Sequence, residues 1–330
     1  MQQPTWEEAL SLGSLRRAWD RVKRNKGAPG VNGQTIPSFA QHLDEHLQDL
    51  QGEICGGTYQ PLPLRSVPIP KRTPGTWRYL AIPTVRDRVL QQSLSALLIH
   101  RFDPLFLPCS FAYRPGRSTA DAVEALREHV AQGAVWYLKG DIRGCFDEID
   151  WELLSRRLQV LQDPLLRRLV NQAIRSPLWR DGALHPRSRG VPQGGPLSPF
   201  LSNLFLHSFD HDLTRLGFRL IRFADDWVIC ASSPGELRDA YRVVLSVLGT
   251  LKVRIQTEKT RQGDLRSEPV QFLGFRIDAH GADADLRGWR RFQDAARRYR
   301  TASNLEEWIR ARADLRSLQA YYRGCGNTGP

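Results

Sequence analysis

Three aspartates carry the strongest chemical signal in the sequence. Asp225 and Asp226 are adjacent within the apolar run IRFADDWVIC, and Asp141 follows the apolar stretch VWYL. Carboxylates that converge in an apolar setting repel one another unless a cation lies between them. Mg²⁺ takes such oxygen ligands, and two ions about 3.5–4 Å apart stabilise the attacking and leaving oxygens of a phosphoryl displacement. The pattern therefore predicts a two-metal phosphoryl-transfer site, with a solvated hairpin turn as the alternative.

The segment between the two acidic motifs, RGVPQGGPLSP (189–199), is rich in glycine and proline. Glycine lets a flat ligand approach the main chain closely, and proline fixes the backbone path. Its position between the two acidic motifs favours a ligand-binding loop over a plain connection that leads into a helix.

The scaffold that must position these motifs is predicted to alternate helices with strands. The Asp pair lies at the tip of a predicted hairpin formed by 218–224 and 227–232, and Asp141 lies at the end of a strand within 134–149. Helices are predicted over about 5–26, 37–52, 85–102, 151–160, 164–175, 198–215, 235–251 and 286–323. Further extended segments are predicted at 61–71, 77–83, 252–256 and 270–277. This order predicts an α+β fold in which helices pack on a sheet.

Composition limits the class of protein. The chain has 330 residues, 41% of them hydrophobic, and a formal net charge of +12 from 47 basic and 35 acidic residues. That charge favours a polyanionic partner such as nucleic acid. The N-terminus lacks the apolar core of a signal peptide, and no apolar stretch approaches the roughly 20 residues that span a membrane. We therefore expect a cytoplasmic protein that does not bind membranes.

The five cysteines are scattered, and none forms a CxxC pair. Neither a zinc site nor a disulfide framework is predicted.

An ordered series of seven motifs extends over most of the chain. These are PKRTPGTWRYLAIPTVRDRVLQQ (70–92), SFAYRPGRSTADAV (110–123), LKGDIRGCFDEID (138–150), GVPQGGPLSPFLSNL (190–204), IRFADDWVIC (221–230), QTEKT (256–260) and FLGFRI (272–277). The series resembles that of bacterial reverse transcriptases of the group II intron lineage, which includes intron maturases and CRISPR-associated and defence-associated enzymes.

The resemblance implies a right-hand polymerase fold. The fingers, with an N-terminal extension, are expected in 1–110, and the thumb, short and helical, in 283–330. The palm, an antiparallel sheet with packed helices, is expected in 111–282 together with part of the fingers.

The resemblance also implies roles for the acidic motifs. Asp141, Asp225 and Asp226 are expected to hold two Mg²⁺ ions, with Mn²⁺ as a substitute. Lys259 matches a lysine that reaches the pyrophosphate leaving group as its general acid. Phe223 stands where the family usually has tyrosine, a change that spares the metal site but alters contacts near the primer end.

Four other residues match positions that hold the incoming nucleotide. Lys71 and Arg78 match residues that grip the triphosphate, and Gln193 matches the glutamine of the PQG loop. Phe146 matches the aromatic residue that excludes a ribose 2′-hydroxyl, with simple core packing as the alternative. Asp147 is predicted to cap the next helix.

Basic residues outside these motifs are expected to contact nucleic acid. Arg114 and Arg117 are assigned to the template or nucleotide. A second group lies in the predicted thumb and is expected to follow a duplex backbone without reading its sequence. This group includes Arg290, Arg291, Arg297 and Arg298.

The predicted function is RNA-directed DNA synthesis from an RNA template, a DNA or RNA primer and dNTPs. A dedicated structured RNA and CRISPR or defence proteins are further candidate partners. One alternative is a template-independent or RNA-synthesising nucleotidyl transferase, and Phe146 argues against RNA synthesis. The other is an RNA-binding maturase or splicing cofactor without synthesis, against which the intact aspartates and PQG loop argue.

Overall fold

The computed structural model describes residues 5–70 and 75–322. The helices are α1 (Trp6–Leu10), α2 (Leu12–Arg24), α3 (Ile36–Gln41), α4 (Leu43–Cys55), α5 (Val85–Phe102), α6 (Thr119–Ala131), α7 (Cys145–Glu148), α8 (Trp151–Arg157), α9 (Pro164–Arg175), α10 (Ser198–Arg215), α11 (Pro234–Thr250), α12 (Leu286–Thr301) and α13 (Leu305–Tyr322). The strands are β1 (Leu64–Pro70), β2 (Trp77–Ile82), β3 (Trp136–Asp141), β4 (Leu178–Arg180), β5 (Ala183–His185), β6 (Arg219–Phe223), β7 (Asp226–Ala231), β8 (Arg261–Asp264), β9 (Val270–Phe272), β10 (Phe275–Ile277) and β11 (Ala282–Ala284).

Two compact units can be distinguished in the chain. The first comprises Met1–Phe106, Gly144–His207 and Leu251–Val253, and the second comprises Leu107–Arg143, Ser208–Thr250 and Arg254–Pro330. Each unit is therefore assembled from segments that are distant in sequence.

The first unit contains a four-stranded sheet in the order β2-β1-β4-β5. The hairpin β1–β2 is antiparallel, whereas β1 and β4 pair in parallel. Helix α5 is buried around most of its surface, and the Thr84 hydroxyl caps it by accepting from the Asp87 amide. The buried Asp87 carboxylate accepts from the Tyr59 and Thr84 hydroxyls at 2.8 and 2.7 Å. These bonds tie the start of α5 to the segment that leads into β1.

The second unit is built on an antiparallel sheet in the order β6-β7-β3-β8. Strand β7 is almost wholly buried, which explains its continuous apolar run. Helix α11 packs against β3 and β7, and α6 packs against β6 and β7. A smaller sheet, β11-β10-β9, shares a core with α6.

The structure confirms the predicted α+β class, the hairpin around the Asp pair and the bounds of α10. Two strand predictions are wrong. Residues 252–256 form no strand and make only an isolated bridge between Ile255 and Ile142. Residues 270–277 form two antiparallel strands, because the chain turns at Leu273 and Gly274, both with positive φ. The division into 1–110, 111–282 and 283–330 stays a prediction.

None of the helices in residues 5–70 and 75–322 is both long enough and apolar enough to cross a membrane.

Candidate active site

The acidic motifs meet at one end of the sheet in the second unit. Asp141 is the last residue of β3 and lies directly opposite Asp226, the first residue of β7. Asp225 belongs to the tight turn between β6 and β7, and its carbonyl accepts from the Ile142 amide at 3.1 Å. The structure therefore brings all three predicted aspartates to the same end of this sheet.

Two lysines face these carboxylates. Lys259 Nζ lies 2.8 Å from Asp141 Oδ2, and the Gln256 amide, three residues earlier, donates to the Asp141 carbonyl at 2.8 Å. Lys139 Nζ lies 3.4 Å from Asp226 Oδ1. Lys139 is two residues before Asp141 in β3, so both side chains project from the same face of the sheet. Sequence analysis assigned Lys259 to the site but missed Lys139, which strand alternation would have indicated.

The charge of Asp226 is only partly compensated by its surroundings. Burial, together with the nearby Asp141 and Asp225 charges, raises its pKa to about 6, although Lys139 opposes the shift. In the described part of the chain, Asp226 Oδ1 has no well-formed hydrogen bond. As the side chains stand in residues 5–70 and 75–322, no three His, Cys, Asp or Glu residues are arranged to hold one metal ion. Lysine ammonium groups lie against two of the carboxylates instead.

Removing the Asp226 charge should stabilise the metal-free protein at alkaline pH. A raised pKa means that this carboxyl favours the folded state when protonated, and that stability is lost as the pH rises through about 6. We therefore expect Asp226→Asn to raise the Tm by a few degrees at pH 8 and by less at pH 5. Thermal unfolding in EDTA measures this difference. The exposed Asp239→Asn is the control, and a gap that widens towards acid pH would contradict the assignment.

Arg222 is a site residue that sequence analysis missed. Its side chain is fully buried, and Nε and Nη2 donate to the two oxygens of the equally buried Asp210 at 2.5 and 2.6 Å. Nη2 also donates to Ser110 Oγ at 2.8 Å, and Nη1 donates to the Ala224 carbonyl at 3.0 Å. Ala224 has a φ of 59°, an unfavourable value for a residue with a Cβ. Arg222 thus holds the strained turn that presents Asp225.

The predicted PQG loop lies in the first unit, on the short helix α7. The Val191 amide donates to the Phe146 carbonyl at 2.7 Å, and Gly190 has a φ of 81° with no room for a Cβ against the Asp147 main chain. Gln193 Nε2 donates to Asp147 Oδ2 at 2.8 Å. The cap prediction for Asp147 is therefore wrong, since Asp150 caps α8 by accepting from the Leu153 amide.

Of the predicted triphosphate residues, Arg78 lies exposed on β2, and Lys71 falls outside the described residues. Three residues after Arg78, the Ala81 amide donates to the Gln193 carbonyl at 2.8 Å. Within the first unit, backbone hydrogen bonds therefore link Phe146, Gln193 and the strand of Arg78.

The two predicted nucleic-acid residues of the AYRPGRS motif mainly hold their own loop. Arg114 is only 9% exposed and donates to the Leu107 and Ser110 carbonyls, both at 2.8 Å. Arg117 donates to the Pro108 carbonyl at 2.8 Å and lies over the Phe111 ring. Their predicted contact with nucleic acid stays a prediction, and the geometry favours Arg117 over Arg114.

Helix α12 has a buried apolar face and an exposed basic face. Gly288 and Ala295, seven residues apart, are buried on one side. At 100° per residue, the predicted arginines fall within an arc of about 120° on another side. These exposed residues are Arg290, Arg291, Arg297 and Arg298. Arg298 also pairs with Asp314 of α13 at 3.1 Å.

Comparison with known proteins gives consistent matches. The sequence model of the family described as "Reverse transcriptase (RNA-dependent DNA polymerase)" matches residues 69–277. The chain is 28% identical over 242 residues to group II intron-encoded protein LtrA of Lactococcus lactis subsp. cremoris, covering 72% of this chain and 38% of LtrA. It is also 28% identical over 304 residues to protein YkfC of Escherichia coli strain K12, covering 77% of each. This chain thus spans about two fifths of the length of LtrA.

Among solved structures, telomerase from Candida albicans in complex with a fragment of telomeric RNA matches with a TM-score of 0.56. The match covers 88% of this chain and 59% of the telomerase chain at 13% identity. At that identity the similarity concerns the fold alone.

Proposed function

Because the chain belongs to the reverse transcriptase family, we propose that it is an RNA-directed DNA polymerase that extends a primer 3′-hydroxyl with dNTPs. The observation that carries this proposal is the pairing of Asp141 with Asp226 at one sheet end, with a lysine facing each carboxylate. Such a concentration of charge suits phosphoryl transfer, in which negative charge must be neutralised in the transition state.

Enzymes of this family use divalent metal ions, and the side chains at the sheet end suit them. Asp226 has a buried oxygen without a well-formed hydrogen bond among the described residues, and its burial next to the Asp141 and Asp225 charges raises its pKa. We propose that Asp141, Asp225 and Asp226 hold two Mg²⁺ ions, for which Mn²⁺ substitutes. The chemistry that such ions supply is activation of the primer hydroxyl and neutralisation of the triphosphate.

The two lysines take different parts in this proposal. Lys259 is half-exposed on a short turn, so its flexible side chain can leave the Asp141 carboxylate and contact the leaving pyrophosphate. There it would donate a proton as a general acid. Lys139 is more buried, extends from a strand and keeps its position beside Asp226. It therefore acts as a fixed counter-charge rather than as an acid.

The proposed nucleotide-binding residues all belong to the first unit. Arg78 offers a planar guanidinium to the triphosphate, and Lys71 is proposed as its partner. Phe146 is half-buried beside the PQG loop and would exclude a 2′-hydroxyl by its bulk. Gln193 is held by Asp147 and would contact the base pair that forms.

The proposed substrates are an RNA template and a DNA or RNA primer, with the basic face of α12 following the duplex backbone. Binding through such a face falls steeply as salt increases, because it releases counterions from phosphates. Assembly with a dedicated structured RNA, or with CRISPR or defence proteins, remains part of the prediction.

Primer extension tests the proposed function. The protein is incubated with a labelled primer on an RNA template, with Mg²⁺ and either dNTPs or NTPs, and also without template. We expect DNA products whose length depends on the template. Products formed without template, or from NTPs alone, would instead identify a nucleotidyl transferase or RNA polymerase. RNA binding without synthesis in Mg²⁺ or Mn²⁺ would identify an RNA-binding maturase.

Phe146 should determine the choice of sugar. We expect Phe146→Ala to raise incorporation of NTPs relative to dNTPs by at least about tenfold, because removing the ring opens space for a 2′-hydroxyl. The ratio of kcat/KM for one matched dNTP and NTP measures the effect. Phe146→Leu, which keeps most of the bulk, is the control and should stay within a few-fold of the wild type. An unchanged ratio in Phe146→Ala would assign the ring to packing alone.

A further inference from the structure

Two large aromatic side chains lie exposed on the hairpin β1–β2 of the first unit. Trp77 is 53% exposed and Tyr79 is 47% exposed, and both belong to β2, an edge strand. Residues two apart in a strand project from the same face, about 7 Å apart along the chain. The two rings therefore stand side by side on one face of the sheet.

The neighbouring strands add to the same face. Pro70 lies opposite Trp77 and Pro68 lies opposite Tyr79, and directly opposed residues share a face. From β4, the Arg180 guanidinium lies 5.6 Å from the centre of the Tyr79 ring. We call this surface, formed by Trp77, Tyr79, Pro68, Pro70 and Arg180, the aromatic face.

Arg180 brings positive charge to the aromatic face. Its Nε lies 3.5 Å from Asp181, whose carboxylate is almost fully exposed, so this ion pair is weak and exchangeable. Planar rings combined with a partly exposed guanidinium match the way proteins hold single strands, with bases stacked on aromatic side chains or arginine planes and phosphates attracted by arginine.

We propose that the aromatic face binds single-stranded RNA, with bases stacked on Trp77 and Tyr79 and a phosphate near Arg180. The net charge of +12 favours a negatively charged polymer as the ligand of the aromatic face, rather than a partner protein with few acidic residues. This proposal rests on the proposed function in one respect: it identifies the bound strand as template that is not yet copied.

The opposite face of the hairpin has a different composition. Arg78 lies between Trp77 and Tyr79 in sequence and therefore projects to the other side, where it is proposed to hold the triphosphate. Trp179 of β4 pairs with Arg65 of β1, so it also belongs to that opposite face and is 38% exposed. The hairpin would thus bind the nucleotide triphosphate on one face and single-stranded RNA on the other.

Binding of a fluorescent 12-nucleotide RNA without base pairing tests the proposal, in EDTA and without dNTPs. We expect Trp77→Ala and Tyr79→Ala each to raise the Kd at least about fivefold, because stacking on an aromatic ring contributes strongly to single-strand binding. Trp179→Ala is the matched control, because it removes an exposed indole from the other face, and it should leave the Kd within twofold. Arg180→Gln should reduce the dependence of the Kd on salt.

A wild-type Kd in the double variant Trp77→Ala/Tyr79→Ala would overturn the proposal. If the double variant bound RNA normally but sedimented differently from the wild type in the absence of RNA, the aromatic face would be a protein interface, and the proposal would also be overturned. These side chains are exposed, so the variants should keep the wild-type Tm. The assay needs no catalysis, and Asp225→Asn should bind RNA normally. A failure of DNA synthesis and a failure of strand binding are therefore distinguishable.

Discussion

Asp225→Asn is expected to lower primer extension by on the order of a thousandfold or more while leaving the fold intact. The amide keeps the shape of the side chain but removes the negative charge that the proposed ions require. The structural contact of Asp225 with Ile142 uses the main-chain carbonyl, which the substitution preserves. Single-turnover extension in saturating Mg²⁺ and Mn²⁺ measures the loss.

The matched control for this experiment is Asp239→Asn, on the exposed side of α11, which should extend primers at the wild-type rate. Wild-type thermal stability and RNA binding in Asp225→Asn would show that only the chemistry is lost. Substantial remaining synthesis, above a few per cent of the wild-type rate, would contradict the role of Asp225 as a metal ligand.

The parts of the fold that sequence predicted well are those whose signals are local. The hairpin around Ala224 and Asp225 follows from two short apolar runs separated by a turn, and α10 follows from a helical pattern after a proline-rich loop. The convergence of Asp141 with this hairpin was also predictable, because the sequence places Asp141 and the Asp pair each at the end of a predicted strand.

The parts that sequence could not predict depend on pairing between distant segments. Strands β4 and β5 have three residues each, too few for a periodic signal, and β4 joins β1 in parallel across more than a hundred residues. The segment 270–277 looks like one strand because its apolar pattern is continuous, and the turn becomes apparent only in the structure, from the positive φ of Leu273 and Gly274.

The motif resemblance predicted the roles of the site residues, whereas the contacts that support those residues are seen only in the structure. Lys139 lies in a predicted strand, where alternation places it on the same face as Asp141, but its approach to Asp226 depends on the pairing of β3 with β7. The partners of Arg222 are Asp210 on a helix and Ser110 in a distant loop. An arginine within an apolar strand signals a buried partner, because an unpaired buried charge is too costly, but it does not identify which one.

Arg222→Met is expected to lower the free energy of unfolding by about 3–5 kcal/mol, because it leaves the Asp210 carboxylate buried without its partner. It should also abolish most synthesis, since the Ala224 carbonyl loses its donor in the turn before Asp225. Urea unfolding measures the first effect and primer extension the second. Arg219→Met is the matched control from the same strand, because its ion pair with Glu236 is partly exposed and contributes about 0–1 kcal/mol.

The double variant Arg222→Met/Asp210→Leu separates stability from positioning. Replacing both charges with apolar groups removes the uncompensated carboxylate, so most of the lost stability should return. Synthesis should not return, because a methionine cannot donate to the Ala224 carbonyl and the turn stays unsupported. Full recovery of primer extension together with stability would contradict the positioning role and restrict Arg222 to the core. Recovery of stability without activity would show that this buried arginine positions the aspartate turn.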